Sequence, residues 1–83
     1  MKELEVKYEM VFTCDELLIE SINIAWESAF DEIEGTETEE EIFEIALAYA
    51  LADRYYISYN ERDAILQQSS KIYKWWKENK GNV

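Results

Sequence analysis

The sequence predicts a small, mainly α domain in which three helices follow an extended N-terminal segment, so that its class is α+β or all-α. Three observations predict it: a helix-start signal occurs three times, apolar residues recur at helical spacing after each signal, and the first residues alternate. The three signals are Thr13-x-x-Glu16, Thr38-x-x-Glu41 and Ser58-x-x-Glu61. Each matches a capping box, in which a hydroxyl and a carboxylate accept backbone N–H groups at the start of a helix.

The first helix is expected from about residue 14 to residue 34, with Gly35 as the stop signal. Its buried stripe is predicted at Leu18, Ile22, Ala25, Ala29 and Ile33, widened by Trp26 and Phe30. The opposite face carries Glu16, Glu20, Asn23, Glu27, Asp31 and Glu34. The helix is therefore predicted to be amphipathic, with an acidic outer face.

The second helix is expected over residues 39–56 and the third over residues 59–80, before Gly81. Apolar residues surround the second helix on nearly every side, which is typical of a central helix. The residues expected to be mostly buried are Ile22, Ala29, Ile45, Tyr49, Ile65, Ile72 and Trp76.

The first ten residues have two interpretations. Residues 3–10 alternate between polar and apolar, as a half-buried strand does, whereas Leu4, Tyr8, Val11 and Phe12 also fit a helix. We favour the strand, because a new helix signal begins at Thr13 without a helix-stop residue before it. A strand needs a partner for its backbone groups. The candidates are residues 55–59, a second copy of the chain in a homodimer, or another protein.

Length and composition indicate one domain over residues 1–83. The chain is 48 % apolar, carries a net charge of −11, and has a single cysteine. Its longest apolar run is eight residues, 45–52, and its first residues lack the apolar stretch of a signal peptide. We therefore expect a cytoplasmic protein in a reducing setting, with no contact with a membrane.

The residue inventory argues against an enzyme. The chain has no histidine, so Ser-His-Asp arrangements and histidine-containing zinc sites are excluded. Gly35 and Gly81 are its only glycines, so there is no glycine-rich phosphate loop. Carboxylates are abundant, but they lie on predicted solvated faces rather than in a pocket that perturbs them. Cys14 is interpreted as a structural cysteine, the alternative being a thiolate at a helix start. We predict no catalytic residue, cofactor or metal.

Charge is the feature that indicates a partner. Residues 1–53 hold 16 Asp and Glu against 2 Lys, whereas residues 54–83 hold 3 Asp and Glu against 6 Lys and Arg. The acidic half suits a basic protein surface and opposes direct binding of nucleic acid. The alternative is a solvated face that serves solubility. The predicted partner-binding residues are Glu16, Glu20, Glu27, Asp31, Glu34, Glu37, Glu40, Glu41, Glu44 and Trp75.

Trp75 has two interpretations of its own. It projects about 100° from Trp76, so only one of the pair can lie at the centre of the buried stripe. Trp75 either covers the edge of a small core or is an exposed anchor for a partner, a role in which tryptophan is enriched.

Residues 51–58, Leu-Ala-Asp-Arg-Tyr-Tyr-Ile-Ser, resemble the first helix and turn of helix-turn-helix regulators, whose pattern is similar to L-A-x-x-Y-G-I-S. Tyr56 stands where that family has its turn glycine. The resemblance implies that Tyr59, Asn60 and Arg62 open a helix that reads the major groove of DNA.

In size and charge the chain resembles the small acidic inhibitors of phages and mobile elements, of the anti-CRISPR and antirestriction type. The acids from Glu16 to Glu44 carry this resemblance. It implies DNA mimicry: the acidic surface occupies a basic nucleic-acid groove of a larger protein, such as a CRISPR or restriction nuclease. The alternatives are a helix-turn-helix regulator and a helical protein–protein adaptor.

Overall fold

A computed structural model describes residues 1–33, 35 and 38–82. The chain forms two short strands followed by four helices and a final 3-10 turn. The elements are β1 (Leu4–Lys7), β2 (Val11–Cys14), α1 (Glu16–Asp31), α2 (Glu39–Arg54), α3 (Tyr59–Leu66) and α4 (Ser69–Asn79), with the turn at Lys80–Asn82. The predicted class, mainly α with an extended N-terminus, is confirmed.

The N-terminal strand finds its partner in the next segment of the same chain. β1 and β2 pair antiparallel, with Leu4 opposite Cys14 and Lys7 opposite Val11. Residues 55–59, named as a candidate partner, do not form a strand, and a homodimer is not needed to satisfy β1. The β-branched and aromatic residues of β2 favour this strand. No glycine, asparagine or proline marks the connection between the strands, so the usual hairpin signal was absent.

The first helix-start signal is wrong, because Thr13 belongs to β2. Asp15 caps α1 instead, and its carboxylate accepts the backbone N–H groups of Leu17 and Leu18 at 3.1 and 3.4 Å. α1 therefore starts later than predicted and ends at Asp31. The other two starts are confirmed: Thr38 forms a full capping box before α2, and the Ser58 side chain accepts the Glu61 N–H.

The predicted third helix is two helices, α3 and α4, separated at Gln67 and Gln68. The amide of Gln68 donates to the backbone oxygen of Lys7 at 3.0 Å, which ties the break to the end of β1. Neither residue is a helix breaker. The break therefore coincides with a tertiary contact, which local spacing does not reveal.

The core is built from all four helices and the two strands, and most of its predicted members are confirmed. Ile22, Ala29, Ile65, Ile72 and Trp76 are buried. Two predicted members are wrong and several buried residues were not predicted, because the buried face of α2 is rotated from the predicted one. In this helix Ile45 and Tyr49 are half-buried, whereas Phe43 and Leu47 are fully buried.

Candidate protein-binding site

Four of the predicted binding residues form one acidic stripe along α1: Glu16, Glu20, Glu27 and Asp31. All four are exposed, and their spacing of four, seven and four residues keeps them on one face of the helix. From first to last the stripe spans about 22 Å at 1.5 Å per residue. The sequence prediction of an acidic outer face is therefore confirmed, and its use remains a proposal.

The stripe has no compensating charge in the described part of the chain. α1 contains no lysine or arginine. The salt bridges in the described residues instead join Glu39, at the start of α2, to Lys77 at 3.5 Å and to Lys80 at 4.0 Å. Like charges on neighbouring helical turns repel and destabilise the helix. Glu16 lies in the first turn, where the helix dipole favours a negative charge, but the other three acids gain nothing of this kind from folding.

Two of the predicted acids of α2, Glu40 and Glu41, have local roles and so differ from the stripe. Glu41 completes the capping box with Thr38. The carboxylate of Glu40 accepts a hydrogen bond from Ser70 of α4 at 2.8 Å. Glu44 is exposed beside Ile45 and Leu66. The remaining two predicted binding residues, Glu34 and Glu37, lie outside the described residues.

Exposed apolar side chains flank the acidic stripe. Leu17, Ile24 and Phe30 are 56 %, 57 % and 56 % exposed, although all three belong to α1. By helical spacing Leu17 and Ile24 lie on one side of the stripe and Phe30 on the other. The prediction that Phe30 widens the buried stripe is wrong. Leu17 and Ile24 were not predicted as functional residues. The one signal in the sequence is that both are apolar although their helical positions lie outside the predicted buried stripe.

A groove runs between α1 and α2 beside the stripe, with a volume of about 380 Å³. Its α1 wall consists of Ser21, Ile24, Ala25 and Ser28, and its α2 wall of Tyr49, Ala50, Asp53 and Arg54. The small side chains of Ser21, Ala25 and Ala50 leave this space open. The hydroxyl of Ser21 donates to the backbone oxygen of Leu17 at 2.9 Å, so it presents little unsatisfied polarity to the groove. We call this feature the α1–α2 groove.

Trp75 is not an exposed anchor, so that interpretation is wrong. Only 5 % of Trp75 is exposed, and its indole N–H donates to the backbone oxygen of Lys2 at 2.5 Å. Asn79, one turn later, accepts the backbone N–H of Lys2 at 3.1 Å. Trp75 therefore covers the edge of the core and holds the start of the chain against α4.

Cys14 is placed as a structural cysteine rather than as a nucleophile. Its thiol is fully buried, and burial together with the nearby charge of Asp15 raises its pKa to about 12. Lys71 acts in the opposite direction but does not outweigh burial. Burial also raises the pKa of the neighbouring Tyr55 hydroxyl. Among the described residues, no group of three or more potential metal ligands occurs.

The turn between α2 and α3 contains a left-handed residue at Tyr56. Tyr56 has a φ of +53°, the left-handed conformation that glycine usually supplies, and its side chain is 88 % exposed. Tyr59 follows at the start of α3, 72 % exposed, with the Arg62 guanidinium 4.1 Å from its ring centroid. Glu61 and Asp63 lie on the same short helix, so its charge is mixed.

Comparisons of the chain with protein-family models, with curated proteins and with solved structures found no match. Within the described ranges, no helix is both long and apolar enough to cross a bilayer.

Proposed function

We propose that this protein is a small acidic inhibitor that binds a larger protein and excludes nucleic acid from it. In this proposal a phage or mobile element encodes the inhibitor, and its target is a basic nucleic-acid-binding protein such as a CRISPR or restriction nuclease. The observation that carries the proposal is the acidic stripe, which is exposed over about 22 Å and lacks a cation within 4 Å in the described residues. The mechanism is occupancy, without direct contact between the inhibitor and nucleic acid.

The electrostatics of such a contact favour a basic groove over a flat surface. An exposed ion pair contributes about 0–1 kcal/mol, because water and salt screen it. Close charge pairs at a desolvated interface couple by about 1.5–7 kcal/mol. Four carboxylates in one row can meet the lysines and arginines that otherwise hold a phosphate backbone. The stripe therefore becomes strongly attractive only where a partner encloses it.

Reversing three charges of the stripe tests this proposal. We expect the variant Glu20→Lys, Glu27→Lys, Asp31→Lys to stay folded, because all three side chains are exposed. Its affinity for the target should fall by well over tenfold, since three attractions become repulsions. Proteins captured from a bacterial lysate are identified by mass spectrometry and purified. Their DNA binding is then measured with and without the inhibitor, over a series of salt concentrations.

A second triple variant supplies a matched control. Glu3→Lys, Glu5→Lys, Glu9→Lys changes the net charge by the same amount, at exposed positions of the β-hairpin. The control should bind nearly as well as the parent. Equal binding by all three proteins, each folded by circular dichroism, would show that the stripe is only solvated surface. A captured protein that still binds DNA while bound to this chain would instead identify an adaptor.

A helix-turn-helix regulator is the second candidate, and the left-handed Tyr56 between α2 and α3 favours it. The acidic half of the chain opposes it, because DNA repels carboxylates. We expect no detectable binding of the isolated protein to a fluorescent duplex of mixed sequence near physiological salt, as measured by anisotropy. Specific binding of a selected duplex in the nanomolar range, weakened by Tyr59→Ala or Arg62→Ala, would establish the regulator instead.

A further inference from the structure

We propose that the α1–α2 groove and the acidic stripe together hold a basic amphipathic helix of the partner protein. A leucine-like side chain of that helix enters the groove, and its lysines or arginines lie along the stripe. This inference rests on the proposed function, since it assumes that the stripe faces a basic protein. It goes further in two respects: the contact includes an apolar side chain, and the segment of the partner that makes the contact is a helix.

The α1 side of the groove, at Ile24 and Ala25, can take an apolar side chain. The groove's volume of about 380 Å³ lies within the range of pockets that take small organic groups. Ala25 and Ile24, which is 57 % exposed, supply the apolar part of its lining, whereas Ser28, Asp53 and Arg54 make the rest polar. An incoming leucine would cover Ile24 and remove apolar surface from water, at about 25 cal/mol per Å².

The negative charges of the acidic stripe, beside the groove, favour positive charges on the rest of the partner helix. By helical spacing, Ile24 projects about 40° from Glu20 and about 60° from Glu27, so rim and stripe are contiguous. A helix presents residues three and four positions apart on one face. One helix can therefore offer an apolar residue to the groove and cations, one turn away, to the stripe. Recognition of an amphipathic helix by a groove is a recurrent binding mode.

Two synthetic peptides provide the probes. Both are helical, about 18 residues long, and carry lysine on one face; one has leucine on the adjacent face and the other has serine. At moderate salt the leucine peptide should bind at least tenfold more tightly than the serine peptide, as measured by fluorescence anisotropy. Ile24→Ser should remove most of that difference.

Phe30→Ser is the matched control for Ile24→Ser. The two residues belong to the same helix and are 56 % and 57 % exposed, but Phe30 lies on the opposite side of the stripe from the groove. Its replacement should change the affinity for the leucine peptide less than twofold. Circular dichroism melts of both variants establish that they remain folded.

The outcomes separate this inference from the proposed function. Three results would contradict the proposal that the groove binds the helix. These are equal binding of both peptides, equal effects of Ile24→Ser and Phe30→Ser, and no binding of either peptide. None of these peptide results shows whether the protein blocks DNA binding by a target. The proposed function is tested separately, by the charge-reversal variant of the stripe. If reversal leaves inhibition unchanged while the leucine peptide remains Ile24-dependent, the groove is a binding site and the inhibitor mechanism is wrong.

Discussion

Phe43→Ala is expected to lower the free energy of unfolding by about 3–5 kcal/mol, which is the usual cost of deleting a fully buried aromatic side chain. Phe43 has no exposed surface, and its ring lies 5.3 Å from that of Tyr73 and 5.2 Å from that of Trp76. Its removal opens a cavity where α2 meets α4. Urea denaturation followed by circular dichroism measures the loss.

Ile45→Ala is the control for this result, because Ile45 lies on the same helix and is only half-buried. Its replacement should cost about 1 kcal/mol, in proportion to the smaller area that it removes from water. A cost for Ile45→Ala equal to that for Phe43→Ala would mean that the buried face of α2 is the one predicted from its sequence spacing.

The Cys14 thiol is expected to react with Ellman's reagent at pH 8 at least about a thousandfold more slowly in the folded protein than in urea. The reactive species is the thiolate. Raising the pKa from 9.0 to about 12 reduces the thiolate fraction by about three powers of ten, and burial hinders the reagent further. Absorbance of the released chromophore gives both rates.

The unfolded protein controls for intrinsic reactivity, since it contains the same thiol without burial. If the folded and unfolded proteins reacted at rates within tenfold of each other, the Cys14 thiol would be ionised and accessible near the start of α1.

The same pKa shift of Cys14 predicts how the stability of the protein changes with pH. Below about pH 9 the thiol is neutral in both states, whereas between pH 9 and pH 12 only the unfolded chain loses the proton. The free energy of unfolding should therefore fall across that interval, and less so in Cys14→Ala.

The sequence predicted those parts of the fold that depend on local signals. The starts of α2 and α3 follow from Thr38 and Ser58, whose hydroxyls cap the helices in the structure. It did not predict the break at Gln68, because the side chain of Gln68 donates to Lys7, 61 residues away. At Thr13 two local preferences competed, and strand pairing prevailed over capping. Spacing alone could not distinguish these outcomes.

The acidic stripe was predictable because helical spacing fixes which side chains share a face. The groove was not, since it depends on how α1 and α2 pack against each other. Small residues such as Ser21, Ala25 and Ala50 line it, and helical spacing alone does not show whether such residues lie in the core or at the surface. Trp75 illustrates the same limit, because its burial depends on the backbone of Lys2 lying across α4.

The attachment of Lys2 to α4 affects the order in which the fold can form. Its backbone bonds join residues separated by 73 and 77 positions, so almost the whole chain must close before they exist. Closing so long a loop costs more conformational entropy than closing the short connection between α1 and α2, although this cost grows slowly with length. Both hairpins are local and can assemble early, whereas the attachment of the first residues to α4 is expected to come last. Deletion of the first residues would consequently affect α4, where Trp75 would lose the acceptor of its indole N–H.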